Sequence, residues 1–94
     1  MFDKMKQMYE MQKQAKELQR VLETIRLEKI SKDGLLRVTV NGTHKLESLL
    51  IDSSLLDPTK KDTLERGLSS LINEAFGDIQ KQSATQMAGL IRGL

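Results

Sequence analysis

Side chains that could catalyse a reaction are few in this sequence. His44 is the single histidine and there is no cysteine. A serine nucleophile would therefore depend on His44, which would have to be a base oriented by a buried carboxylate. His44 stands beside Lys45 just after a predicted turn, where an ordinary surface residue is expected. The sequence predicts that the protein is not an enzyme and has no small-molecule substrate.

Metal and cofactor sites are also not predicted. Asp52, Asp57 and Asp62 recur every five residues, but they lack the alternate-position spacing and the central glycine of a calcium loop. Asp52 is interpreted as a turn residue and Asp57 as a helix cap. The six glycines are scattered, so none of them builds a phosphate-binding loop.

The basic residues offer a different chemistry, because lysine and arginine can neutralise phosphate groups. On a helix, Lys6, Lys13 and Arg20 would form one row, with Lys16 beside it. A neighbouring row is acidic: Asp3, Glu10 and Glu17. This face has two interpretations. It is either a solvated surface on which the two rows pair with each other, or a stripe that faces phosphates.

A long helix over residues 2–25 is predicted to hold these side chains. No proline or glycine interrupts residues 1–33. Apolar residues at heptad spacing form a seam along one side: Met1, Met8, Met11, Ala15, Leu18, Leu22 and Ile25. Such a helix would be about 36 Å long. A domain of this size cannot cover that length, so part of the helix must project or pack on a partner.

Three strands are predicted next, as an antiparallel meander over residues 26–31, 35–41 and 43–51. Apolar and polar residues alternate through the second of them. Gly34 follows Lys32 and Asp33 in a predicted turn and can adopt a positive φ. Asn41 and Gly42 form the residue pair best suited to a type I′ turn, which needs positive φ at both positions.

A second long helix is predicted over residues 58–88, opened by Asp57 as the cap and Pro58 at its first position. Gly67 and Gly77 lie inside it, where each is expected to mark close packing or a bend. One apolar face recurs at three- and four-residue spacing: Leu64, Leu68, Leu71, Ile72, Ala75, Phe76 and Ile79. The predicted order is α-β-β-β-α, an α+β fold.

Length and composition limit the core. The chain has 94 residues, which predicts one domain, and 38% of them are hydrophobic. A chain this short often relieves a thin core by oligomerising. The net charge is +2, from 15 basic and 13 acidic residues, and the positive excess lies in the two terminal segments. No apolar run approaches a membrane span of about 20 residues, so a cytoplasmic protein without a membrane partner is expected.

The segment 34–56 carries a specific resemblance. It contains G-L-L-R-V-T-V-N-G at residues 34–42 and I-D-S-S-L-L at residues 51–56. Flanking elements add M-K-Q-M at 5–8, M-Q-K-Q-A at 11–15 and A-F-G-D at 75–78. Together these motifs resemble the YbaB/EbfC family of small bacterial nucleoid-associated proteins. Ser53 departs from the family pattern, which usually has proline after the I-D pair.

The resemblance implies a homodimer in which two protomers join through their sheets and their helices stand away like tweezers. It also implies binding of double-stranded DNA with little sequence preference, in nucleoid organisation and gene regulation. The family's helices are the implied DNA-contacting elements. On them we expect phosphate contacts from seven basic residues, the choice of which rests on charge and position: Lys4, Lys6, Lys13, Lys16, Arg20, Lys81 and Arg92.

A second hypothesis comes from another functional class. The seam, the glutamines beside it and the near-neutral charge are equally typical of an adaptor or clamp whose projecting helices bind other proteins. The two hypotheses differ in their response to salt. DNA binding should weaken steeply as salt rises, whereas the docking of apolar helix faces should not.

Overall fold

The computed structural model describes residues 2–92, with side chains described for residues 3–89. Its elements are helix α1 (Phe2–Thr24), strands β1 (Arg26–Ile30), β2 (Leu36–Asn41) and β3 (Leu46–Ile51), two 3₁₀ turns (Ser53–Leu55 and Pro58–Lys60) and helix α2 (Lys61–Arg92). The strands form one antiparallel sheet in the order β1-β2-β3. The predicted α+β architecture is confirmed.

The core lies between α2 and one face of the sheet. Val38 and Val40 of β2 are fully buried against this helix, and Lys29 and Leu27 of β1 share their face through the register of the strands. The predicted apolar face of α2 supplies the other side of the core. The buried set is small, as the composition predicted: Ile25, Leu36, Val38, Val40, Leu55, Leu71, Ala75 and Ile79.

Helix α1 contributes to this core only at its C-terminal end. Leu22 packs against the core and Ile25, just after the helix, is buried, whereas Met8, Met11 and Leu18 are exposed. The seam therefore continues beyond the core, along the part of α1 that extends away from the sheet. The molecule measures 66 × 26 × 15 Å, consistent with a projecting arm. The expectation that the helix is too long for its domain is confirmed.

The predicted type I′ turn at Asn41-Gly42 is wrong. Positive φ occurs at His44 instead, at 62°, and the Asn41 carbonyl accepts a hydrogen bond from the His44 amide. The loop is thus a turn followed by one left-handed residue, a longer hairpin connection that delays β3 until Leu46 rather than residue 43. At the other turn, the prediction for Gly34 is confirmed, with φ 75°.

Gly42 is required for a reason other than its dihedral angles. Its amide donates to the carbonyls of both Leu22 and Ile25, at 2.9 Å each. A Cβ on Gly42 would lie 2.6 Å from the Leu22 carbonyl oxygen. The hairpin loop is therefore fastened to the point where α1 ends, and a side chain would push the two apart.

The segment between β3 and α2 is held by its two aspartates. Asp52 Oδ1 accepts from the Ser54 amide and Asp57 Oδ1 from the Thr59 amide, each at 2.9 Å. These bonds confirm Asp52 as a turn residue and Asp57 as a cap. However, Asp57 and Pro58 open a 3₁₀ turn, and α2 itself begins at Lys61 and extends to Arg92, past the predicted end at 88.

Candidate nucleic-acid interface

Four of the five predicted basic residues of α1 stand on one exposed face of the helix, and Lys4 lies on the side of the seam, four residues before Met8. Tyr9 and Leu18 lie on opposite sides of this helix, because nine residues at 3.6 per turn rotate by about 180° from each other. Leu18 belongs to the seam, so Tyr9 marks the opposite face. The basic side chains predicted as phosphate contacts on α1 are all exposed: Lys4, Lys6, Lys13, Lys16 and Arg20.

The predicted ladder of ion pairs along α1 does not form. Among the side chains that the structure describes, no carboxylate of α1 lies within ion-pair distance of these amines. The ion pairs present lie elsewhere, for example Glu28 with Arg37 at 3.4 Å across the sheet. On a fully exposed helix, pairing two long side chains costs their conformational freedom and gains little. The basic groups are left available to an external partner.

The face of α1 divides into two shallow grooves of different charge. The acid-lined groove holds two carboxylates and one amine, in the set Asp3, Lys6, Gln7, Glu10, Met11 and Gln14. The acid-free groove holds two amines and no carboxylate, in the set Tyr9, Gln12, Lys13 and Lys16. Lys6 and Lys13 stay in one row, because seven residues make almost two full turns of the helix, but they line different grooves.

The structure describes the side chain of only one of the two basic residues predicted as contacts on α2. Lys81 is exposed, two residues before the buried Ser83, whose hydroxyl lies beside Gly42 near the end of α1. It also lowers the pKa of Asp78, after the larger effect of the hydrogen bond from Lys29. The side chain of Arg92 lies outside the described residues. Helix α2 thus offers Lys81 close to where the two helices meet the sheet.

An ion pair fastens β1 to α2 beneath this region. Lys29 Nζ lies 2.6 Å from Asp78 Oδ2 and 3.9 Å from Glu74 Oε2. The hydrogen bond with Asp78 raises the pKa of Lys29, and the same bond holds the pKa of Asp78 below its usual range. Both groups are charged at neutral pH, so this pair fixes the position of α2 on the sheet.

A second pair lies on the uncovered face of the sheet. Asn41 is buried, and its amide donates to Glu47 Oε1 at 2.9 Å. This bond is the main cause of the lowered pKa of Glu47, with Arg26, at 3.0 Å from Glu47 Oε2, as a weaker cause. Glu47 is thus bound by two residues of its own sheet, Asn41 and Arg26, and Arg26 balances its negative charge.

Strand β3 presents apolar side chains that α2 does not cover. A bulge at Glu47 of β3, opposite Thr39 and Val40, brings Leu46 and Leu49, three residues apart, to the same face of the sheet. They pair with Val40 and Val38, which are buried under α2, yet they are 40% and 39% exposed themselves. We call Leu46 and Leu49 the uncovered strand patch. It extends the core face beyond the edge of α2.

Two of these features were not foreseen from the sequence. The imidazole of His44 was expected to be an ordinary surface group, but it stacks on Phe76 of α2, with ring centroids 5.8 Å apart. This contact joins elements far apart in the chain, so no local signal indicates it. Tyr9 was not singled out, although its spacing of four and seven residues from Lys13 and Lys16 places it on their face.

Comparison with known protein families identifies the family of this chain. The model of the YbaB/EbfC DNA-binding family matches residues 1–94. The chain belongs to this family. Membership confirms the resemblance carried by the motifs at 34–42 and 51–56.

Individual relatives agree with the YbaB/EbfC assignment. A nucleoid-associated protein of Granulibacter bethesdensis is 36% identical over 90 residues, covering 96% of this chain and 84% of the relative. One from Hahella chejuensis is 31% identical over 94 residues, covering 100% of this chain and 86% of the relative. The crystal structure of an uncharacterized Helicobacter pylori protein has the same fold, with a TM-score of 0.70, 23% identity, and coverage of 89% of this chain and 88% of that one.

Features of a membrane span or of a metal site are not found in the part of the YbaB/EbfC chain that the structure describes. Over residues 2–92, neither helix is both long and apolar enough to span a membrane. In the same part of the chain, His, Asp and Glu side chains do not gather in threes as metal ligands would.

Proposed function

We propose that this protein binds double-stranded DNA through phosphate contacts made by the exposed basic face of α1, with little sequence preference. The proposal rests on one observation: the basic groups of a projecting helix have no carboxylate partner among the described side chains. Membership of a DNA-binding family supplies the kind of partner. Neutralising phosphates releases condensed counterions, which gives affinity without reading the bases.

The residue types on α1 support low sequence preference. Four of the five expected contacts are lysines, which act as flexible point charges, and only Arg20 carries a planar fork suited to paired hydrogen bonds with a guanine edge. On α2, Lys81 and Arg92 remain proposed contacts. A protein of this kind would act across the genome, in nucleoid organisation and in gene regulation, and would be found in the cytoplasm on the nucleoid.

We further propose that the DNA-binding form is a homodimer. The uncovered strand patch and the exposed seam together leave apolar groups in water: Leu46, Leu49, Met8, Met11 and Leu18. A second copy offers the same surfaces in return, so a two-fold pairing would cover both. Two copies at +2 each would carry a net charge of +4 and present two arms to one duplex.

The exposed seam also favours the rival function, a clamp for other proteins. Met8 and Met11 are flexible and polarisable, and such residues suit surfaces that adapt to several partners. Apart from Lys4, the basic residues of α1 lie on the side of the helix opposite the seam, so a protein partner and DNA would use largely different residues. Salt therefore separates the two functions, because only the phosphate contacts depend steeply on it.

Fluorescence anisotropy of two unrelated labelled duplexes, titrated with the protein at several salt concentrations, tests the proposal. We expect similar affinities for both duplexes and a linear fall of log K with log salt, by about 0.9 for each phosphate contact. An acidic protein of similar charge density serves as the competitor control. Absence of binding at low salt would contradict the proposal and leave the clamp as the better function.

A further inference from the structure

The basic face of α1 contains an aromatic side chain that the seam does not explain. Tyr9 is 70% exposed and lies on the side of the helix opposite Leu18. It cannot contribute to an interface made by the seam. An exposed phenol ring between charged side chains leaves apolar surface in water, without a partner among the side chains that the structure describes.

The side chains around Tyr9 differ in charge from those around Lys6. Gln12, Lys13 and Lys16 line the acid-free groove with it, at spacings of three, four and seven residues. Lys6 lines the acid-lined groove, in which two carboxylates, Asp3 and Glu10, outnumber it. A phosphate placed in the acid-lined groove would meet net negative charge, and one placed in the acid-free groove would meet two amines.

We infer that the acid-free groove is the segment of α1 that grips the sugar–phosphate backbone, with Tyr9 as a contact residue. This inference rests on the proposed DNA binding and narrows its site. The Lys13 and Lys16 amines donate to phosphate oxygens. The Tyr9 hydroxyl and the Gln12 amide can donate to the same or the next phosphate, while the phenol ring packs against deoxyribose. None of these contacts reads a base, so the groove adds affinity without sequence preference.

Charge-matched variants test the location. Lys13→Gln/Lys16→Gln removes two charges from the acid-free groove, and Lys4→Gln/Lys6→Gln removes two charges from the same helix outside it. We expect roughly a tenfold or greater loss of DNA affinity for the first, with a salt slope lower by about 0.9 for each lost contact, and a much smaller loss for the second. Equal losses in both variants would overturn the groove while leaving DNA binding by net charge intact.

Tyr9 provides an independent readout, because the chain has a single tyrosine and no tryptophan. Its emission should be quenched when DNA binds, after correction with a free tyrosine derivative in the same DNA solution. As a control, Tyr9→Phe/Gln14→Tyr moves the fluorophore to the acid-lined groove, where DNA should leave the emission unchanged. A rise in duplex anisotropy without quenching of Tyr9 would overturn the inference alone. No rise in anisotropy for the unaltered protein would overturn the proposed function as well.

Discussion

Single glycines in this protein have opposite structural roles. The Cβ of any residue at position 42 would collide with the Leu22 carbonyl oxygen at 2.6 Å. At Gly77, inside α2, no atom of the described residues lies within 4 Å of the Cβ position, apart from the adjoining backbone of the helix itself. Gly67 is intermediate, since its Cβ position is 3.0 Å from a terminal methyl carbon of the buried Leu36. The sequence predicted packing or a bend at both helical glycines, and close packing is present at Gly67 only.

Gly77→Ala should therefore raise the free energy of unfolding by about 0.5–1 kcal/mol, because alanine loses less backbone entropy in a helix interior. Gly42→Ala is the same substitution at a crowded position. It should lower the free energy of unfolding by more than about 1 kcal/mol, because the new Cβ would collide with the Leu22 carbonyl oxygen. Urea unfolding followed by circular dichroism measures both. All samples need the same protein concentration, since an oligomer gains stability by mass action. A destabilised Gly77→Ala variant would mean that Gly77 has a contact absent from the protomer.

At the scale of elements, α2 is fastened to the sheet by charge as well as by apolar packing. Lys29 reaches from β1 to Asp78 and Glu74, on the same side of the sheet as the buried Val38 and Val40. The lowered pKa of Asp78 means that the folded chain prefers its ionised form. The stability that this provides is present above the ordinary carboxyl pKa, and it is lost as the pH falls through the lowered value.

We expect the urea midpoint to fall as the pH is lowered below about 4. Asp78→Asn should be less stable than the unaltered protein at neutral pH, and it should lose less stability on acidification. Glu17→Gln is the control, because it removes a carboxylate of α1 that takes part in no ion pair among the described side chains. A fall of equal size in all three proteins would show that Asp78 does not contribute to the acid sensitivity.

Helices and strands with a regular spacing of apolar residues could be predicted from the sequence, but the junctions between them could not. The apolar faces of α1 and α2 and the alternation in β2 indicated the right element types and order. The start of β3 was misplaced because Asn41-Gly42 suggests a two-residue turn. In the folded chain Gly42 is needed for its bonds to Leu22 and Ile25, a contact between distant segments that no local pattern encodes.

At the scale of the whole molecule, the same limit applies to the candidate interface. The sequence predicted the basic residues of α1 correctly as exposed, but it did not predict that Lys6 and Lys13 line different grooves. Their division between two grooves depends on which neighbours each shares around the helix. Likewise, a strict alternation along β3 would put Leu46 and Leu49 on opposite faces, and only the bulge at Glu47 brings them to the same face.

The dimer proposal is tested at this scale by two leucine variants. Leu49→Gln changes the uncovered strand patch, and Leu50→Gln changes the opposite face of the same strand, where Leu50 is 57% exposed. By sedimentation equilibrium at micromolar concentration, the unaltered protein should have about twice the chain mass of 10.7 kDa. Leu49→Gln should shift it toward the single-chain mass, and Leu50→Gln should not. A single-chain mass for the unaltered protein would refute the dimer.

The double hydrogen bond at Gly42 has a consequence for chemical ageing. In an Asn-Gly pair, the glycine nitrogen readily attacks the carbonyl carbon of the asparagine side chain and expels ammonia, forming a cyclic succinimide. Water then opens this ring to aspartate or isoaspartate. Here the Gly42 N–H is bonded to two carbonyls, and the Asn41 side chain is bound to Glu47 and Thr43. Deamidation at Asn41 should be slow while the fold is intact. The rate of deamidation, followed by mass spectrometry of stored protein, would report how often the hydrogen bonds of Gly42 to Leu22 and Ile25 open.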